Sequence, residues 1–117
     1  MNKVTVHPGV FIRRNYIEAL GIRAAELASA LEVSESTISR LLHEKIDLSP
    51  QLAVRLSKVL GQSAESWMNM QVNFTLARAE SELAQWTPAY RVTDEGLVVV
   101  DERAAGRKRE GSGTAAA

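Results

Sequence analysis

Residues 23–45 read RAAELASALEVSESTISRLLHEK, and the rest of the chain is organised around them. Leu27, Ala28 and Leu31 recur at helical spacing, with Glu26, Ser29 and Ala30 on the opposite side, which predicts a short amphipathic helix. Ala28 is small enough for a second helix to cross close over it. The first helix is expected to stop near Leu31, with Glu32 and Val33 making a corner. Ser34 suits the cap of the next helix, because its hydroxyl can accept from a free backbone N–H two or three residues on. In that helix Ile38, Leu41 and Leu42 form the inward stripe, while Glu35, Ser36, Ser39, Arg40 and His43 point away. An exposed face of short polar side chains with one arginine can enter a DNA major groove, where side chains must reach base edges.

Composition narrows the class. At 117 residues, 45% of them hydrophobic, the chain suits one domain, or a smaller domain with a tail. There is no cysteine, hence no disulfide, no thiolate metal site and no cysteine nucleophile. No apolar run approaches the ~20 residues that span a bilayer. The opening MNKVTVHPGV lacks the apolar core of a secretion signal. A cytoplasmic protein without a membrane partner is expected. Net charge is zero, which argues against strong non-specific binding to nucleic acid. The charge is nonetheless polarised. Residues 1–60 carry eight basic and six acidic side chains, residues 61–102 two basic and seven acidic, and residues 103–117 four basic and one acidic.

Residues 1–7 read as a short arm. Pro8 stands near the start of a first helix, where its missing N–H costs nothing. Ile12, Tyr16 and Leu20 are expected on one face, and Gly21 as the residue that ends the helix. His7 has no second metal ligand at helical spacing, so capping or packing is its expected role. Ser49-Pro50 is a strong helix start, followed by a core stripe of Leu52, Leu56, Val59 and Leu60 that ends at Gly61. Ser63 caps a last long helix with Glu65 in its first turn. That helix is apolar on two sides: Trp67, Met70 and Phe74 make one stripe, Met68, Val72 and Leu76 another. A five-helix domain of this size has no second layer to cover both. These six residues are therefore candidate dimer contacts, with one stripe facing the domain and the other a second subunit. The competing reading has the C-terminal segment fold back over the helix.

The expected organisation is an all-α, five-helix domain over residues 1–81 that resembles the lambda-repressor helix-turn-helix domain, an extension over 82–102 and a disordered tail over 103–117. In the extension, residues 90–93 and 97–100 are β-prone around Asp94-Glu95-Gly96 and predict a small hairpin. Such a hairpin is marginal alone in water. It should pair with its own domain, a dimer mate or another protein. Arg107-Lys108-Arg109 in the tail could touch nucleic acid or simply be solvated.

The spacing of residues 23–45 resembles the helix-turn-helix of phage-repressor type. Taken with other motifs, the chain to about Glu80 resembles the HigA-type antitoxins of bacterial toxin–antitoxin modules. The motifs are His7-Pro8-Gly9, Leu20-Gly21, Glu26-Leu27-Ala28, Val33-Ser34, Ser36 through Leu42, Ser49-Pro50, Arg55-Leu56, Leu60-Gly61, and Ser63-Ala64-Glu65 with Trp67 and Asn69. The resemblance implies a homodimer, binding to an inverted-repeat operator in double-stranded DNA, repression of its own operon, and a partner toxin that is a small messenger-RNA-cleaving protein. Two departures stand out. Arg23 and Ala24 occupy the places of a Ser-Gln pair that caps the second helix and touches phosphate. Glu32 stands where the corner has glycine, and carries a strain of order 1 kcal/mol if that place needs a positive φ.

The expected DNA-binding set is Arg23, Ser34, Glu35, Ser36, Thr37, Ser39, Arg40, His43 and Lys45. Arg40 would read a guanine through its fork and Glu35 would accept from a cytosine amine. Ser36 and Ser39 would bond bases or phosphates, and Thr37 a phosphate or the helix start. Arg23 and Lys45 would clamp phosphates, although a solvated lysine fits Lys45 equally well. A second role is neutralisation of a small basic toxin by the acidic stretch 61–102, with charge steering the encounter. The alternative is a stand-alone repressor without a toxin. Enzyme readings have no footing: there is no glycine-rich phosphate loop, no HExxH, no cysteine, and the two histidines are far apart in sequence. No metal or cofactor is expected.

Overall fold

His7 opens the first helix of the computed structural model, which describes residues 5–106. In α1 (Pro8–Ile12) the proline occupies the first turn, and the His7 ring accepts the Gly9 amide as N-cap. Over Arg13–Glu18 the helix widens into a π-helical stretch, and Gly21 closes it at φ +71°. A π turn takes in an extra residue, so the inward phase slips. Ile12 stays sealed, Tyr16 and Ile17 pack against the core, and Leu20 swings out to 65% exposure. The expected Ile12–Tyr16–Leu20 stripe therefore fails at its third member.

The next two helices are α2 (Ala24–Leu31) and α3 (Glu35–Leu42). The first buries Leu27, Ala28 and Leu31, the second Ile38, Leu41 and Leu42. Glu32 sits between them in the left-handed region at φ 59°, ψ 45°, the conformation in which a Cβ is crowded. Glu32→Gly should therefore stabilise the domain. Strain relief of about 1–2 kcal/mol, less the greater freedom of glycine in the unfolded chain, leaves roughly 0.5–1 kcal/mol. The thermal midpoint should rise by a few degrees. A lower midpoint in a melting experiment would show that the corner is not strained.

In α4 (Pro50–Val59) the Ser49 hydroxyl accepts the Leu52 amide at 3.1 Å. Its inward face is Leu52, Ala53 and Leu56, with Leu60 packed behind them. Val59 is exposed, contrary to expectation, because Ala53 and not Val59 flanks the Leu52–Leu56 row on the core side. In α5 (Ala64–Glu82) Ser63 accepts the Ser66 amide at 3.0 Å. One core joins Ile12, Leu27, Leu31, Ile38, Leu41, Leu48, Leu52, Leu56 and Trp67, and full burial of each large apolar side chain contributes about 1.5–3 kcal/mol.

The chain divides into two units between Glu82 and Leu83. In the second, β1 (Tyr90–Thr93) and β2 (Gly96–Val99) pair antiparallel, with Tyr90 opposite Val99 and Val92 opposite Leu97. Gly96 supplies a positive φ of +103° at the turn, and the Thr93 hydroxyl accepts the Glu95 amide at 3.0 Å. A short helix, α6 (Glu102–Ala105), follows, capped by Asp101, whose carboxylate accepts the Ala104 amide at 3.2 Å. Residues 103–105, expected to be structureless, are therefore helical. Residues 107–117, with the Arg107-Lys108-Arg109 cluster, and the first four residues of the arm lie outside the described residues. The fold is mostly helical, six helices with one small hairpin among the described residues. None of the described helices is long and apolar enough to cross a membrane.

Candidate nucleic-acid interface

The placement of α3 is set at both its ends. At its start the Ser34 hydroxyl accepts the Thr37 amide at 3.0 Å and shares a hydrogen bond of 2.9 Å with the Thr37 hydroxyl. Arg55 of α4 donates to the Leu31 and Glu32 carbonyls at 2.8 and 2.9 Å, filling acceptors that the end of α2 leaves open. At the other end Arg13 donates to the Leu42 carbonyl at 2.6 Å. Gly9 lies so close to the Leu41 carbonyl that a Cβ there would overlap its oxygen. Two arginines and one glycine therefore fix where α3 points. The sequence reading counted Arg13 only as charge and read Arg55 and Gly9 only as parts of motifs. These contacts span 23 to 29 residues, and no local pattern announces them.

Outward from this frame, Glu35, Ser36, Ser39, Arg40 and His43 are all exposed. The His43 Nδ1 lies 2.8 Å from the Ser39 carbonyl and must carry a proton to donate to it. Lys45 donates its backbone N–H to the Arg40 carbonyl at 2.7 Å, which ties the residue just beyond α3 back to its last turn. Among the described residues the only ion pairs are Arg13–Glu18 at 4.0 Å and Arg23–Glu26 at 3.3 Å. Neither Arg40 nor Lys45 is neutralised by either of them.

Arg23 stands at the N-cap of α2. A guanidinium has only donors, so it cannot cap the helix as a serine would. The Glu26 carboxylate makes the return half of the arrangement, accepting from the Arg23 amide at 3.0 Å and from its guanidinium at 3.3 Å. These contacts, the backbone amide foremost, hold the Glu26 carboxyl below the ordinary range.

The loop after α3 is pinned from below. Gln71 of α5 is buried; its carbonyl accepts the Leu48 amide at 2.8 Å, and its amide donates to Asp47 at 3.3 Å and to Thr75 at 2.9 Å. His7 is buried beside the same loop, with its ring edge-on to Phe74 at 5.1 Å between centroids. Its Nδ1 accepts the Gly9 amide at 2.9 Å, which puts the proton of the neutral ring on Nε2, toward the Ile46 backbone but without a well-formed hydrogen bond among the described residues. Burial lowers the His7 pKa against the opposing pull of Glu44, the Ile46 backbone and Asp47; Arg78 adds to the lowering. The capping and packing roles expected of His7 are both present.

The six candidate dimer residues separate. Trp67 has no exposed surface. Its indole N–H donates to the Gly61 carbonyl at 3.0 Å, and Phe11 meets its ring edge-on at 5.7 Å. It belongs to the core and is unavailable to a partner, because α5 turns the Trp67 side against α4. Met68 and Met70 also pack against the core. Phe74 is half-buried against His7, with the Arg78 guanidinium 5.4 Å from its centroid. Only Val72 and Leu76 are exposed, at 52% and 53%.

Comparison with known proteins agrees with this geometry. The Helix-turn-helix family model matches residues 14–67, which run from the π-helical stretch through α3 to Trp67. Virulence-associated protein I of Dichelobacter nodosus is 38% identical over 77 residues, 66% of this chain and 71% of that protein. The solved structure of the antitoxin GraA superposes with a TM-score of 0.68 at 34% identity, over 72% of this chain and 90% of that one. A structure of the Pseudomonas aeruginosa antitoxin HigA with the higBA promoter gives 0.66 at 33% identity, over 70% and 89%.

Proposed function

Since this chain belongs to the XRE-type helix-turn-helix family to which the HigA antitoxins also belong, we propose that it is an antitoxin that binds its operator through α3. The observation that carries the reading is the outward face of that helix. Its polar side chains are exposed, its arginine has no carboxylate partner among the described residues, and its ends are locked. A fork-shaped donor on a rigid helix can meet guanine O6 and N7 together. Glu35 accepts from a cytosine amine, and Ser36 and Ser39 reach bases or phosphates. Arg23 and Lys45 lie to either side as phosphate clamps; the exposed Arg23–Glu26 pair is weak enough to exchange for a phosphate. Ser34 and Thr37 act indirectly, because their hydroxyls are engaged with the helix start.

One copy reads one half of an inverted repeat, so the reading includes a homodimer with two α3 helices about one DNA turn apart. Val72 and Leu76 are the α5 residues left for that contact. The toxin arm of the reading rests on the antitoxin relatives and on the acidic balance of residues 61–102. A small basic messenger-RNA-cleaving protein is the partner that such a stretch would attract.

Arg40→Ala tests the α3 assignment. Binding to promoter DNA, measured by fluorescence anisotropy, should weaken by about 1–3 kcal/mol, with preference relaxed at one base position. The melting temperature should not move, since the side chain supports nothing in the fold. Wild-type affinity in this variant would remove Arg40 from the interface.

A further inference from the structure

The hairpin keeps its apolar side bare. The register puts Tyr90 and Val99, and then Val92 and Leu97, as neighbouring cross-strand pairs on one face. Their exposures are 47%, 44%, 77% and 69%. The opposite face carries Arg91 against Val98. Among the described residues, seven of the twelve exposed large hydrophobic side chains lie beyond Glu82, so uncovered apolar surface is concentrated in this short unit. A contiguous patch of this kind marks an interaction site.

Charge selects the occupant. Asp94 and Glu95 stand at the hairpin tip, and Asp101 and Glu102 beyond its open end; only Arg91 and Arg103 oppose them over residues 83–106. A rim with this excess of carboxylates disfavours phosphate, and with it a nucleic acid on this face. Two such rims brought together repel each other, which disfavours a second copy. A cationic protein with an apolar patch satisfies both the face and its border. We infer that the Tyr90–Val92–Leu97–Val99 face is a docking surface for a basic protein partner. This rests on the toxin reading above, and makes that partner the toxin itself. The surface is then made of residues other than those of the α3 face.

The test uses the full chain and the purified product of the small basic reading frame flanking its gene. Val92→Thr with Leu97→Thr puts a β-branched side chain, which favours a strand, at both positions while cutting most of the apolar surface. Calorimetric titration should show at least a tenfold loss of affinity for that product, with operator binding unchanged, whereas Arg91→Ala on the opposite face should bind as wild type does. Equal affinity in the threonine variant overturns the docking surface and leaves the toxin reading standing. No binding by the wild-type chain, or no such reading frame, overturns the toxin reading and this inference with it. A fall from dimer to monomer in the threonine variant, seen by light scattering, reassigns the face to self-association and overturns the proposal.

Discussion

Gly9→Ala is expected to cost the domain about 3 kcal/mol or more and to weaken operator binding with it. The reason is steric. A Cβ at position 9 would overlap the Leu41 carbonyl oxygen and crowd the His7 ring. The obstruction is backbone at the end of α3, held in place by the Arg13 bond to Leu42, so it cannot move aside as a flexible side chain would. Overpacking costs about 1–3 kcal/mol where the surroundings can yield; here relief requires α1 to lift from α3. Lifting it also pulls the His7 cap from Gly9 and opens the buried ring. Against a total stability of about 4–12 kcal/mol for some 80 residues, this is a large fraction. The midpoint of thermal unfolding, followed by circular dichroism, should fall by more than 10 °C, at roughly 4–8 °C per kcal/mol for a domain of this size. A shift under 3 °C would show that α1 and α3 can separate cheaply, and would dismiss the idea that α1 aims the recognition helix.

The parts of the fold legible in the sequence are those governed by neighbours a few residues apart. Ser34, Ser49 and Ser63 each precede a helix and each accepts the amide three residues on, as a capping residue does. The stripe of Ile38, Leu41 and Leu42 has the helical period and is buried. The β-prone runs on either side of Asp94-Glu95-Gly96 pair as a hairpin, with the second strand at Gly96–Val99 one residue ahead of the expected 97–100. Leu20 was misread because the helical period assumed an unbroken α-helix, and one π-helical stretch changes the phase of everything after it. Trp67 stood among the candidate dimer contacts because two apolar stripes on α5 look alike from sequence, and which of them faces the domain was left open. Their difference is the chain packed across them, which periodicity does not encode.

The candidate site divides the same way. Its outward residues follow from the inward ones by helix geometry, so Glu35, Ser36, Ser39, Arg40 and His43 were legible once Ile38 and Leu41 were placed. The supports were not. Arg13, Arg55 and Gln71 act through backbone groups 23 to 29 positions away, and a charged or amide side chain gives no sign of which carbonyl or amide it will meet. Two of the front half's basic residues, Arg13 and Arg55, are engaged with backbone carbonyls of the fold. Fewer of its cations are accordingly free for a partner than composition suggests.

Trp67→Ala should destabilise the domain by about 3–5 kcal/mol, the range for truncating a buried large aromatic. The side chain has no exposed surface, its indole N–H is bonded to Gly61, and Phe11 packs edge-on against it. Removing it leaves a cavity between α1, α4 and α5 and an acceptor without its donor at the end of α4. Trp67→Phe should cost less, about 1–2 kcal/mol, because it mainly forfeits the bond to Gly61. Urea unfolding of both variants separates a core role from a subunit contact. A core tryptophan gives the same loss at every protein concentration. A tryptophan on the dimer face would give a loss that shrinks as the chain is concentrated, since mass action restores a weakened dimer. Concentration dependence in Trp67→Ala would return Trp67 to the subunit boundary; its absence leaves Val72 and Leu76 as the α5 residues where disrupting substitutions should act on association without touching the core.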